Sequence, residues 1–150
     1  PEFVIAWAKE TAIGHDIVIS QRDIRAIQLA KGAMYSGARI LMNRLGIEKI
    51  DRVILAGAFG SYIDKTSAAV IGLFPDCDPE NVSAVGNAAG DGARLALLNT
   101  DKRAEADAIA RRVEYVELTL EPDFNHVFTQ ALLFPHGEDS FPHLRNLLPK

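Results

Sequence analysis

Apolar and polar positions alternate in short bursts at the start of this chain and then recur every three or four residues, and the change of period divides it into elements. Phe3–Ala8 and Asp16–Ile19 are β-branched or aromatic runs around a loop containing Gly14, the pattern of a hairpin. Ser20 with Asp23 has the form of a capping box. Ile24, Ile27, Met34, Ala38, Leu41 and Leu45 then trace one apolar face until Gly46 stops the helix. Arg52–Ala58 is apolar enough for a central strand covered on both faces.

A short helix over Lys65–Leu73 comes next, with Asp64 as its N-cap, and Phe74–Pro79 ends it in a turn-rich loop. Val82–Val85 reads as a strand and Ala88–Leu98 as a helix. Asp101 caps another helix running to about Arg112. Val113–Leu118 reads as a last strand. Pro122 at a first-turn position then opens an amphipathic helix through Phe124, Val127, Phe128, Ala131 and Leu132. The end of the chain, with three prolines counting Pro135, a glycine and mixed polar residues, reads as a surface strap or frayed end. The order ββαβαβααβα predicts an α/β fold, a mixed sheet with helices packed on it.

Two glycine-bearing junctions between strand and helix stand out, Val53–Gly60 and Val82–Gly92. In each, small residues leave the backbone N–H groups uncovered, so that an anion or a flat ring can approach. Gly57, Ala58, Phe59, Gly60 and Ser61 in the first junction, with Gly86, Asn87 and Gly90 in the second, are the candidate nucleotide contacts. The same glycines also suit tight turns and close packing, and Asn87 also suits a helix cap. Neither stretch is a phosphate loop with Gly-Lys-Ser/Thr, nor a Gly-x-Gly-x-x-Gly fingerprint. On the long helix Gln28, Lys31, Tyr35 and Arg39 share a side away from the apolar stripe, by default a solvated one. There Lys31 beside Gly32 puts a cation next to a gap in side-chain cover, suited to an adenine or ribose edge.

At 150 residues, 48% hydrophobic and 24% charged, the chain matches one soluble domain with its own core. A net charge of −4, with no Lys/Arg cluster interleaved with aromatics, argues against nucleic acid, and no apolar run is long enough for a membrane span. The single cysteine, Cys77, lies in an acidic Pro-Asp-Cys-Asp-Pro turn and reads as a passive loop residue of a cytoplasmic protein. His15, His126, His136 and His143 lack metal spacing and read as surface or loop residues. Asp16, Asp23, Asp51 and Asp64 read as turn and cap residues. No serine sits in a nucleophile-elbow sequence, and neither a catalytic residue nor a metal ligand is assigned. Strand-like sequence directly after Pro1, with no initiator methionine, reads as a piece of a longer protein.

Three stretches carry a family resemblance: Ser20–Arg25 through Leu29–Ala33, Asp51–Asp64, and Val85–Leu98. Together with Arg112–Leu118 and the Phe124 helix they resemble the C-terminal domain of reductive activators of corrinoid enzymes, which are iron–sulfur proteins of anaerobic methyl metabolism. The resemblance implies an ASKHA-type ATPase lobe over residues 1–135, with 136–150 as a tail. Val53–Ser61 resembles the adenosine motif of that superfamily, the helix with Lys31 the one flanking adenine, and Gly86–Gly90 the later turn closing over the base.

It further implies ATP with Mg as cofactor. An iron–sulfur cluster would belong only to an N-terminal part missing here, since this chain lacks the cysteines for one. The implied partners are a corrinoid protein reduced from Co(II) to Co(I), the iron–sulfur and linker domains of the same protein, and a second activator in a homodimer. The first phosphate loop and catalytic carboxylate of such ATPases are not identifiable, so the chain corresponds to an adenosine-binding half. A docking or dimerisation module without nucleotide, using the hairpin and the Phe141–Leu148 tail as contact surface, is the alternative. A small-molecule kinase of the same superfamily lacks a nameable hydroxyl-activating aspartate.

Overall fold

A computed structural model describes residues 1–147. Strands β1 (Glu2–Ala6) and β2 (Ile17–Ser20) form the antiparallel hairpin, pairing Phe3 with Ile19 and Val4 with Val18. Its loop is tied by Asp16, which accepts from the Ala8 N–H at 2.6 Å, and by the Thr11 hydroxyl, which donates to the His15 carbonyl. Helix α1 (Gln21–Leu45) starts at the expected capping box: Asp23 N–H donates to Ser20 Oγ at 3.3 Å and Ser20 N–H to Asp23 Oδ2 at 2.8 Å. It ends in a Schellman motif, with Gly46 N–H on the Asn43 carbonyl and Ile47 N–H on that of Met42.

Strand β3 (Val53–Leu55) leads into α2 (Gly57–Tyr62) and α3 (Lys65–Val70), the latter capped by Asp64, which accepts from Ser67 N–H at 2.7 Å. Strand β4 (Val82–Ala84) pairs parallel to β3, Val53 beside Val82 and Leu55 beside Ala84. Helices α4 (Ala88–Leu98), α5 (Thr100–Ala110) and α6 (Phe124–Ala131) complete the chain, and α1 packs mainly on α6. The core gathers Tyr35, Ala68, Leu73, Phe74, Val82, Ala131, Phe141 and Leu144.

The α/β class holds, but among the described residues the sheet is two separate pairs of strands, β1–β2 and β3–β4. The expected central strand shrinks to three residues with Ile54 53% exposed, because Ala56 already caps α2 and no third strand covers the pair. Val113–Leu118 is not a strand: its alternation has no partner edge, so Val113 and Tyr115 stay exposed and Leu118 begins a 3-10 turn. Asn99, not Asp101, caps α5, accepting from the N–H groups of Asp101 and Lys102. Pro122 precedes the Asp123 cap of α6 instead of opening its first turn.

Helix α1 is turned over relative to its sequence pattern. Met34 and Leu45 of the apolar stripe are 51% and 72% exposed, whereas Lys31, Gly32, Tyr35 and Ser36 are buried. The reason is close packing at Gly32, where a Cβ would stand 3.1 Å from Leu132 Cδ2 and 3.4 Å from Phe128 Cε2. The residues after Pro135 are no frayed strap either, since Phe141 and Leu144 close the core. Cys77 is likewise a core residue, 3% exposed. Burial pushes its thiol pKa up, and the nearby carboxylates of Asp78, Asp76 and Asp51 add to that.

Candidate functional site

Parallel pairing of β3 with β4 brings the two glycine junctions together at the carboxyl ends of neighbouring strands, the usual position for a ligand on a parallel sheet. Val85 N–H donates to the Leu55 carbonyl at 3.0 Å, and Gly57 N–H donates to the Gly86 carbonyl at 2.6 Å, joining one turn to the other. Gly57 and Gly86 have φ of +92° and +65°, where a side chain is strained. Nothing lies within 4 Å of where a Gly57 Cβ would project, so that turn presents open backbone. A Gly86 Cβ would stand 3.9 Å from Ser61 Oγ, which places that hydroxyl beside the second turn. The Ser61 hydroxyl itself donates to the Gly57 carbonyl at 3.1 Å.

The remaining members divide by role. Ala58 and Phe59 lie in the first turn of α2, with the Phe59 ring 67% exposed. Gly60 is buried, and a Cβ there would come within 3.0 Å of Leu55 Cβ, so it lets α2 lie against β3. Asn87 caps α4, its Oδ1 accepting from Gly90 N–H at 3.0 Å, and a Cβ on Gly90 would overlap the Asn87 amide. Asp91, in the first turn of α4 with Arg94 at 3.4 Å, opposes an anion at that end. The assembled surface is mostly uncharged backbone, hydroxyl and aromatic ring, a chemistry suited to a nucleoside more than to a triphosphate.

Lys31 departs from the adenine-edge expectation. It is 1% exposed, and its Nζ donates to the carbonyls of Leu133 and of Pro135, the latter at 2.7 Å. Burial pulls its pKa down to about 8. The gap at Gly32 is filled by Phe128 and Leu132. The supposed solvated face of α1 is therefore a polar clamp. Gln28 Nε2 donates to the Leu132 carbonyl at 2.9 Å, the Tyr35 hydroxyl donates to Asp139 Oδ2 at 2.6 Å, and Arg39 Nε lies 3.4 Å from the same oxygen.

A cleft of about 310 Å³, bounded by Tyr35, Arg39, Asp76, Asp139 and His143, lies beside this clamp. His143 Nδ1 is 2.6 Å from Asp76 Oδ2, tying the segment after Pro135 to the loop after α3. Sequence reading set Tyr35 and Arg39 on a solvated face and His143 on the surface or in a loop, and did not single out Asp76 and Asp139, because the partners stand 67 to 104 positions apart. Among the described residues no group of three or more His, Cys, Asp or Glu is arranged to hold a metal, and no helix is long and apolar enough to cross a membrane.

The chain is similar to known proteins over most of its length. A family described as the C-terminal domain of RACo, the ASKHA domain, matches residues 1–145. The corrinoid activation enzyme RamQ of Eubacterium limosum is 40% identical over 134 residues, covering 88% of this chain and 23% of that protein. A solved structure of a reductive activator for corrinoid, iron–sulfur protein superposes with a TM-score of 0.78 at 42% identity, over 90% of this chain and 22% of that one. The chain thus spans less than a quarter of the length of either relative. With the family model matching nearly its whole length and the fold in agreement, this chain belongs to the family of ASKHA domains that form the C-terminal domain of RACo.

Proposed function

We propose that this domain supplies the adenosine-binding half of a nucleotide site in a reductive activator that uses ATP with Mg to drive a corrinoid from Co(II) to Co(I). The observation that carries the reading is the bridge from Gly57 N–H to the Gly86 carbonyl at 2.6 Å, which makes one open surface of the two turns. On it Ala58 and Phe59 offer an apolar edge and ring for a flat base, while Ser61 and Asn87 offer polar atoms for a ribose. Gly60 and Gly90 support the two turns from behind. Lys31 has no part in this surface, since its ammonium is turned toward the Leu133 and Pro135 carbonyls.

ATP supplies the free energy of phosphoanhydride hydrolysis for a reduction that is otherwise uphill. This chain's residues bind and orient the nucleoside. The phosphates and Mg fall to residues outside these 150, and the iron–sulfur cluster to an N-terminal module joined by a linker domain. The reading places the protein in the cytoplasm, acting on a corrinoid-carrying methyltransferase component. The names of the similar proteins, a corrinoid activation enzyme and a reductive activator for a corrinoid, iron–sulfur protein, support the substrate class.

Titration with Mg-ATP and Mg-ADP, followed by amide shifts, tests the reading in this chain and in the full-length protein. Shifts confined to 57–61 and 86–92 are expected. An absence of shifts there in the full-length protein while it hydrolyses ATP would refute it.

One observation favours docking or dimerisation as a second role: Phe3, Ile5 and Trp7 on the hairpin are 70%, 57% and 54% exposed, a patch suited to a protein partner. The tail half of that surface is withdrawn, because Phe141 and Leu144 are buried, and Leu148 lies outside the described residues. Gly57→Val separates the roles, since it should abolish nucleotide shifts and leave capture of the corrinoid protein unchanged.

A further inference from the structure

Within the stretch from Pro135 to Leu144, the turn that carries Asp139 to α1 is built on a single imidazole. His136 Nδ1 accepts hydrogen bonds from the backbone N–H groups of Glu138 at 3.1 Å and Asp139 at 2.9 Å. An acceptor nitrogen carries no proton, so in this conformation the ring is neutral and its hydrogen is on Nε2. Nε2 is itself buried without a hydrogen-bond partner among the described residues. The ring stacks on Tyr35 with centroids 4.6 Å apart. The turn it holds carries Asp139, the residue gripped by the Tyr35 hydroxyl and Arg39.

We propose that the turn at 136–139 forms a latch on α1 that is closed by neutral His136 and released when His136 takes up a proton. A proton on Nδ1 would face two N–H groups in place of accepting from them, and the turn at 136–139 would lose both bonds. Asp139 would then shift away from Tyr35 and Arg39, and the wall of the adjoining cleft would open.

The surrounding charges act in both directions. Lys31 and Arg39 on α1 oppose the proton, while Asp139 and Glu138 on the segment favour it. On α6, His126 Nε2 lies 3.0 Å from Glu138 Oε2, and Asp123 lines the same hollow. Burial is the largest influence and holds His136 below its ordinary 6.5. An unfolded or unlatched chain therefore binds the proton more readily than the latched one, so latch stability falls as pH drops through 6.5 toward the depressed value.

The test combines imidazole Cε1–H shifts of the full chain, followed from neutral to acid pH, with amide-exchange protection. Release predicts that His136 protonates below 6.5. In the same step the amides of 138 and 139 should lose protection by about tenfold or more while those of α1 keep theirs. His136→Asn supplies an acceptor oxygen that does not titrate, and should hold those amides protected through the acid range. Protonation of His136 with unchanged protection at 138 and 139 would overturn the proposal. Equal acid loss in His136→Asn would assign the effect to the carboxylates and overturn it too, as would loss of α1 protection in the same step. The titration of the unaltered chain decides the matter even where the variant does not fold.

Discussion

Replacing Lys31 by methionine keeps an unbranched apolar stem in a site that is 1% exposed and removes only the ammonium. That ammonium serves the carbonyls of Leu133 and Pro135, so the variant strands two acceptors, at roughly 1–3 kcal/mol each if no water replaces it. Removing a dehydrated charge returns part of the loss. The balance is a destabilisation of about 2–3 kcal/mol, or a fall in Tm of about 4–12 °C for a chain of this size.

Urea unfolding followed by circular dichroism should show a lower midpoint at unchanged slope. The pH dependence provides a second reading. Burial holds Lys31 at about 8 against 10.5 for the free side chain, so between those values the unfolded chain keeps a proton that the folded chain has released. Stability from this group therefore rises with pH across that window, and the margin of the unaltered chain over Lys31→Met should widen. A variant as stable as the parent would refute the clamp. Altered nucleotide affinity in a fully folded variant would return Lys31 to the binding site.

Tyr35→Phe removes the hydroxyl that donates to Asp139 at 2.6 Å and should cost about 1.5–3 kcal/mol in chemical denaturation, the range for hydrogen bonds to charged groups. Gly72→Ala should cost more than about 2 kcal/mol by the same assay, because a methyl at φ +71° would overlap the Pro135 carbonyl oxygen. Asn87→Ala removes the cap of α4 and should lower stability by about 1 kcal/mol, with loss of exchange protection concentrated at Gly90. Gly86→Val, at φ +65° beside Ser61, should erase the Mg-ADP shifts at 57–61 as well as at 86–92, since the turns share the Gly57 to Gly86 bond.

Features closed within a few residues were legible in the sequence. Ser20 with Asp23, Gly46, and Asp64 with Ser67 each complete their own hydrogen bonds locally, and α1 and α3 start or stop there. The glycine junctions were legible for the same reason, and their meeting is settled once β3 and β4 pair in parallel. The hidden part depends on distant partners. An amphipathic pattern names an apolar face but not its cover, and on α1 the Gly32–Ser36 side meets α6 while the stripe of Ile24, Met34 and Leu45 stays open. Val113–Leu118 has strand composition and no edge to join. The proline-rich end reads as surface, yet Phe141 and Leu144 three positions apart are enough to seat it in the core.

The clamp between α1 and the segment beyond α6 also orders the birth of the domain. Gln28 and its partner Leu132 are 104 residues apart. At about 5–20 residues per second, a ribosome makes the second about 5–20 s after the first. During that interval α1 can coil on its own capping box, while its Gly32–Ser36 groove stands open and the Lys31 ammonium stays hydrated. The nascent helix is thus a temporary client for any chaperone that binds such grooves. A stop codon placed just before residue 131 would remove not an appendage but the partner that the helix has been waiting for.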